Sequence, residues 1–153
     1  MKPVLRQIAN LWTLMQHPST EDEWFLDDKL SAIKDAGFDG VCWSGSQELQ
    51  NGAARLGLLF VGGMASGVMS DFPKLLEDLR GFGAHHINVQ LANDDILTPE
   101  ALRLTLALMK EGRRLGLEPA IESHRGTATE TPEKTYALAD AYQVETGELL
   151  PIS

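Results

Sequence analysis

Residues 86–123 read HINVQLANDDILTPEALRLTLALMKEGRRLGLEPAIES, and this stretch decides the fold class. Its two ends, HINVQL and EPAIES, are short apolar runs of the kind that forms buried strands. Between them, Thr98-Pro99-Glu100 places a capping hydroxyl, a proline and an acid in the order typical of a helix start. A strand, a helix and a second strand predict a βαβ crossover and therefore a parallel sheet.

The same alternation extends over the rest of the chain. Further strands are predicted at residues 4–12 (VLRQIANLW), 39–43 (DGVCW) and around 58–63 (LLFVGG), which makes about five in all. Helical spacing of apolar residues precedes Gly37 and Gly81, and Thr131-Pro132-Glu133 repeats the helix-start pattern. Residues 46–56 (SQELQNGAARL) are the weakest helical segment, because the central Asn51-Gly52 suggests a broken helix.

The last residues begin another apolar run. Gly147 terminates the final predicted helix, and ELLPI at residues 148–152 follows it. We expect this run to be the start of a further strand that is cut off. An intact doubly wound domain would more naturally finish with its last helix packed on the sheet.

Composition limits the classes of partner and location. The 153 residues suit one domain, and the net charge of -9 lacks the basic surface that nucleic acid requires. No stretch approaches the roughly 18 apolar residues of a membrane span. The lone Cys42 cannot form an internal disulfide, and the first residues make a poor signal peptide, so we expect a cytoplasmic protein with neither nucleic acid nor membrane as partner.

The strongest candidate site follows the fifth predicted strand. In parallel β/α folds, reactive groups gather at the carboxyl ends of the strands, and Glu122-Ser123-His124-Arg125 lies at such an end. A glutamate there must be neutralised, paired or bound to a cation. His124 is a candidate proton-transfer group, and Arg125 a candidate for binding a carboxylate or phosphate. The alternative is that Glu122 and Arg125 only satisfy neighbouring loops.

Four residues at other strand ends are candidate substrate contacts. Trp12 and Trp43 are suited to stacking on a sugar ring, although an aromatic residue at a strand end also serves as core or rim packing. Asn88 and Gln90 are two residues apart, so they point to the same side of a strand and can bind hydroxyl groups.

Other conspicuous residues are expected to have structural roles. Gly62-Gly63-Met64-Ala65-Ser66-Gly67 matches neither the dinucleotide fingerprint nor the P-loop, so we predict a flexible loop. His85-His86 lies where its strand begins, on the side opposite the active face. Cys42 lies within a buried strand without a defined partner and is expected to be inert packing.

The segment IESHRGTATETPEKTYALADAY (residues 121–142) resembles the xylose isomerase-like TIM-barrel proteins, a group of sugar and sugar-phosphate isomerases and epimerases. AGFDGV before the second strand and GAHHINVQL at the fourth are similar to the same family. The resemblance implies a partial (β/α)8 TIM barrel in which residues 1–153 form one incomplete domain of about five parallel β/α units, with the remaining strands absent.

The resemblance also implies a function. Glu122, in an E-x-H pattern, looks like the family's first metal ligand for a divalent cation of the Mn or Mg type, with His124 and Arg125 facing a sugar or sugar phosphate. The family's other ligands, an Asp, a His or Gln and a second Glu, come from strands six to eight, so we expect this chain alone to be inactive and to bind metal weakly. Trp43 departs from the pattern, since many members end the second strand with an acid.

Two other interpretations stay open at this stage. One is an intact flavodoxin-like α/β binding domain, which the chain length suits. The other is a non-catalytic half-barrel module that forms homo-oligomers through its open edge.

Overall fold

A computed structural model describes residues 4–153, which form a single five-stranded parallel sheet with helices between the strands. The strands are neighbours in chain order: β1 (Ile8–Asn10), β2 (Gly40–Trp43), β3 (Leu59–Ser66), β4 (His86–Leu91) and β5 (Glu118–Ile121). In a flavodoxin-like sheet the first strand lies inside and the order reverses, whereas β1 here lies at an edge. The partial barrel is therefore confirmed, and the flavodoxin-like alternative is wrong.

Five helices connect or follow these strands. They are α1 (Leu26–Asp35), α2 (Gln47–Leu56), α3 (Phe72–Gly81), α4 (Thr98–Leu115) and α5 (Pro132–Thr146), with 3-10 turns at Leu11–Leu14 and Met69–Asp71. Thr131 caps α5 as predicted, but Thr98 is already helical and Leu97 takes the cap position of α4. No helix in the part of the chain that the structure describes is long and apolar enough to cross a membrane.

The two faces of the sheet differ in chemistry because successive strand residues point to opposite sides. On β4, Ile87, Val89 and Leu91 are buried in a cluster with leucines of α3, α4 and α5. The alternate residues Asn88 and Gln90 line a cavity on the other face. Helices thus cover the apolar face, and the polar residues remain open to a ligand.

Two strands differ in length from the prediction. β1 ends at Asn10 rather than at Trp12, because the Asn10 side chain accepts a hydrogen bond from the Trp12 backbone N–H at 3.0 Å and starts a 3-10 turn. β3 continues to Ser66, because residues from Gly62 to Ser66 pair in register with β4. The prediction of a flexible loop at Gly62–Gly67 is therefore wrong for all but its last residue.

Helix α2 is continuous through Asn51-Gly52, so the suggestion of a broken helix is wrong. A Cβ atom added at Gly52 would lie 2.5 Å from Cδ1 of Leu30 on α1. Glycine is therefore present because the two helices approach closely there, and this gain in packing outweighs its poor helix propensity.

The last residues lie along the outer edge of β5. Ile121 donates its N–H to the Pro151 carbonyl (2.9 Å), Ser153 donates to the Ile121 carbonyl (3.0 Å), and Ile121 and Ile152 form a parallel bridge. The end of the apolar run at residues 148–152 thus pairs in parallel with the outer edge of β5.

Candidate functional site

A cavity of about 610 Å³ lies at the carboxyl end of the sheet. This volume is within the range of small-molecule sites. It brings together six of the seven predicted site residues, which come from β2, from β4 and from the segments after β1 and β5: Trp12, Trp43, Gln90, Glu122, His124 and Arg125. The seventh, Asn88, lines an adjoining cavity of about 190 Å³ that shares Trp43, Gln90 and Glu122.

Glu122 is the unusual group of this cavity. Its Oε2 atom is buried and, among residues 4–153, has no hydrogen-bond partner. Its backbone is held on both sides, because its N–H donates to the Val89 carbonyl at 2.9 Å and its carbonyl accepts from Thr129 Oγ1 at 2.5 Å. A desolvated carboxylate oxygen without a donor is costly, so this atom is suited to receive a cation or a ligand proton.

The loop after β5 is fixed by two buried threonines that the sequence analysis did not single out. Thr127 Oγ1 donates to the His124 carbonyl at 2.6 Å, and Thr129 Oγ1 donates to that of Glu122. Thr127 and Thr129 are 4% and 2% exposed, and their hydroxyl groups lie 3.1 Å apart. The T-x-T pattern of residues 127–129 is the only sequence signal for this support.

His124 has one ring nitrogen engaged. β5 ends at Ile121, so His124 belongs to the loop and not to the strand, yet it lines the same cavity as Glu122. Its Nδ1 lies 2.6 Å from the Arg125 carbonyl oxygen, which can only accept, so Nδ1 carries the proton. This hydrogen bond leaves Nε2 as the nitrogen able to take up a proton. Arg125 itself is exposed at the cavity rim.

The two tryptophans occupy different environments. Trp12 is 63% exposed on the 3-10 turn after β1, where Asn10 holds its backbone. Trp43 is half-buried and packs against a second, smaller core cluster formed by residues of β1, β2, α1 and α2, while it also lines both cavities. Trp12 thus offers an open ring face, and Trp43 forms a fixed wall. Asn10 lines both cavities too and was not among the predicted residues.

Asn88 and Gln90 both face the cavity, as their spacing predicts. The Asn88 Oδ1 atom already accepts a hydrogen bond from the Ser153 hydroxyl. Gln90 lines both cavities and is therefore the better placed of the two amides to contact a ligand near Glu122.

Cys42 lies on the cavity face of β2, next to Trp43. Burial, and to a lesser extent the negative charge of Glu122, raises the pKa of the thiol from 9.0 to about 11. The thiol therefore stays protonated at neutral pH and is a poor nucleophile, in keeping with the inert role expected for it.

Comparison with known proteins identifies the fold. No protein-family model and no curated protein match this chain. Solved structures do match, among them a xylose isomerase-like TIM-barrel protein from Mycobacterium smegmatis in complex with magnesium, with 18% identity over 90% of this chain and 61% of that one (TM-score 0.63).

Two further matches are proteins with different activities. A D-allulose 3-epimerase from Methylomonas sp., in complex with D-allulose, is 10% identical and aligns over 91% of this chain and 59% of its own, with a TM-score of 0.63. A probable 3-DHS dehydratase from Bacillus anthracis is 14% identical over 91% of this chain and 60% of its own, also with a TM-score of 0.63.

These matches confirm a TIM-barrel fold. This chain spans about 60% of the length of those neighbours. The differing activities of neighbours at such low identity mean that the shared fold does not define the reaction.

Proposed function

We propose that this chain supplies the first five β/α units of a metal-dependent sugar or sugar-phosphate isomerase or epimerase. The observation that carries the proposal is that the Oε2 atom of Glu122 is buried and has no hydrogen-bond partner among residues 4–153. Glu122 lines a cavity together with Trp12, Gln90 and His124. Carboxylate oxygen is the ligand type that Mg²⁺ and Mn²⁺ prefer. The magnesium and D-allulose complexes of two neighbours support the same ligand classes.

In this proposal each side chain has a separate task. Glu122 holds the divalent cation, which when bound polarises the substrate oxygens. His124 accepts or returns a proton through Nε2, because Nδ1 is engaged by the Arg125 carbonyl. Arg125 binds a carboxylate or phosphate at the open rim, where its charge stays hydrated until a ligand arrives.

The remaining side chains orient the sugar. Trp12 and Trp43 cover its apolar face, and Gln90 binds its hydroxyl groups through an amide that both donates and accepts. Asn88 contributes in the same way if the Ser153 hydroxyl is displaced. Fixed orientation of this kind is what makes proton transfer between neighbouring carbons efficient.

Residues 1–153 alone are proposed to bind metal weakly and to lack activity. One carboxylate leaves most positions of a divalent cation to water. From the family resemblance we expect the other ligands on strands six to eight, so we propose that full activity needs a chain that carries those strands.

The test is a Mn²⁺ titration followed by the loss of the free-ion electron paramagnetic resonance signal. It compares residues 1–153 with a longer chain that carries three further β/α units, each with and without Glu122→Gln. Glu145→Gln, an exposed change on α5, is the matched control. We expect tight binding and isomerase activity only in the longer chain with Glu122. Tight binding by the short chain that Glu122→Gln abolishes, or unchanged binding by the longer chain after Glu122→Gln, contradicts the assigned role.

A second proposal concerns assembly. Within residues 4–153, β1 pairs only with β2, and beside its open edge lies an apolar groove of about 480 Å³. The groove is lined by Ile8, Leu14, Trp24, Ala36 and Phe38, among others. An unpaired strand edge next to apolar surface favours association, so we propose that a second copy of the chain covers it.

A further inference from the structure

We propose that His85, His86 and Glu118 form a binding site for a divalent transition metal of the zinc class at the amino-terminal end of the sheet. One nitrogen from each imidazole and one carboxylate oxygen all lie within 4.8 Å of one another. The proposal does not depend on the function proposed above, because His85 and His86 stand where β4 begins, whereas Glu122 stands where β5 ends.

The distances between donor atoms fit a single ion. His85 Nε2 lies 3.3 Å from Glu118 Oε1, and His86 Nδ1 lies 2.9 Å from Glu118 Oε2. Two donors bound to one tetrahedral zinc ion lie roughly 3.3 Å apart, since each bond is about 2.0–2.1 Å. The two contacts involve different oxygens of Glu118, so the side chains must rotate to bring donor atoms that now lie within 4.8 Å of one another to this separation.

The backbone holds the three residues in place. His86 and Glu118 are directly paired in the parallel register of β4 and β5. The Glu118 N–H also donates to the His85 carbonyl at 2.9 Å, which ties the residue before β4 to the first residue of β5. Because the ladder fixes the backbone, little chain entropy is lost on binding, and affinity benefits from this preorganisation.

The ligand set and its exposure indicate the class of ion. Two imidazoles and one carboxylate suit zinc and neighbouring transition metals better than Mg²⁺, which prefers oxygen ligands alone. The side chains of His85, His86 and Glu118 are 59%, 63% and 61% exposed, respectively, so water can complete the coordination of the ion. Arg113 lines the groove beside His86 and Glu118, but it pairs with Glu148 and does not neutralise Glu118.

An ion at this site would join β4 and β5 at the amino-terminal end of the barrel. Residues at that end usually serve stability rather than catalysis. Any ion that binds only the folded state stabilises it in proportion to its occupancy. We therefore assign the site a structural role, in which the ion clamps the start of β4 to the start of β5.

The experiment titrates ZnCl₂ into chelator-treated protein without a polyhistidine tag, by isothermal titration calorimetry, and repeats the titration on His86→Ala and Glu118→Gln. Loss of a group that only supports a metal ligand lowers metal affinity roughly 10–100-fold. Loss of a ligand itself should therefore lower the affinity for Zn²⁺ at least about tenfold. Glu145→Gln, an exposed change on α5, is the control and should bind Zn²⁺ as the unchanged protein does. Glu122→Gln and His124→Ala alter the other cavity and should keep the site formed by His85, His86 and Glu118. Circular dichroism verifies that each variant is folded.

Nitrogen-15 spectra of the histidine rings give a second measurement. On addition of Zn²⁺ we expect the largest shifts at Nε2 of His85 and Nδ1 of His86, with the signals of His17 and His124 unmoved. The proposal is overturned if no Zn²⁺ binds, if His86→Ala and Glu118→Gln bind unchanged, or if binding is lost in Glu122→Gln or His124→Ala, which would place the ion in the other cavity.

Discussion

The Cys42 thiol and the Glu122 carboxylate line the same cavity, and the charge of Glu122 adds to burial in raising the pKa of Cys42 to about 11. Because a nearby negative charge disfavours the thiolate, Glu122→Gln should lower this pKa toward, but not to, its ordinary value of 9.0, since burial is the larger cause. Cys42 is the chain's one cysteine, but the two tyrosines also ionise in alkali, so the thiolate is measured as the difference in absorbance against pH between each protein and the same protein carrying Cys42→Ala. An unchanged titration in Glu122→Gln would mean that the two groups do not interact.

The same shift predicts a loss of stability in alkali. The folded-state pKa of Cys42 is raised, so the protonated thiol contributes stability that is fully present below about pH 9 and is lost as the pH rises through about 11. Cys42→Ala should make the fall of the free energy of unfolding across this range shallower than in the unchanged protein. Equal slopes in urea unfolding at several pH values would contradict this.

Thr129→Val should destabilise the protein and loosen the loop that carries the candidate site. The change keeps the side-chain volume but removes the hydroxyl that donates to the Glu122 carbonyl from a position only 2% exposed. A buried acceptor left unpaired costs about 1–3 kcal/mol. Urea unfolding measures the loss, with the exposed Thr20→Val as control, where a change within about 0.5 kcal/mol is expected. Equal stability of the two variants would show that Thr129 does not support the loop.

Much of the fold was predictable because it depends on regular patterns. Strand and helix alternate along the chain, and the rule that reactive groups meet at the carboxyl ends of parallel strands brought Glu122, Gln90 and Trp43 to one cavity. The roles of these residues remain predictions, since position alone does not define chemistry.

The errors lie where single contacts decide the structure. The Asn10 side chain ends β1 through one hydrogen bond, and β3 extends beyond Gly63 to Ser66 because β4 pairs with these residues. Thr127 and Thr129 support the site through hydrogen bonds to backbone carbonyls, which leave no periodic signal in the sequence. Likewise, the pairing of His86 with Glu118 depends on strand register, which spacing along the chain does not reveal.

Gly52→Ala should destabilise the protein although alanine is the better helix former. The added methyl group would lie 2.5 Å from Cδ1 of Leu30, so α1 and α2 must separate or Leu30 must change rotamer. Overpacking of this kind costs typically about 1–3 kcal/mol. The measurement is the free energy of unfolding in urea.

The matched control for Gly52 is Gly81→Ala in α3. Gly81 has no atom within 4 Å of an added Cβ and does not adopt a left-handed conformation. Alanine there should stabilise the protein by about 0.4–1 kcal/mol, because it restricts the unfolded chain. If both variants gain stability, the contact between α1 and α2 is not close.

Ala36→Arg should prevent self-association if a second copy of the chain covers the groove beside β1. Ala36 is exposed at the end of α1 and lines this groove with Ile8, Trp24 and Phe38. An arginine there would have to lose its hydration when a partner docks, which is unfavourable unless the charge is paired. In the isolated chain the same arginine lies near a helix carboxyl end, where a positive charge is favourable, so the fold should persist.

Sedimentation velocity over a wide range of concentrations checks this prediction. The unchanged protein should shift to larger species as the concentration rises, and Ala36→Arg should remain monomeric. Ala54→Arg places the same charge on an exposed position of α2, away from the groove, and should associate like the unchanged protein. A monomer at every concentration would refute the proposed assembly. Loss of association in both variants would mean that added charge, and not the groove, controls it, because the two substitutions differ only in where the arginine lies.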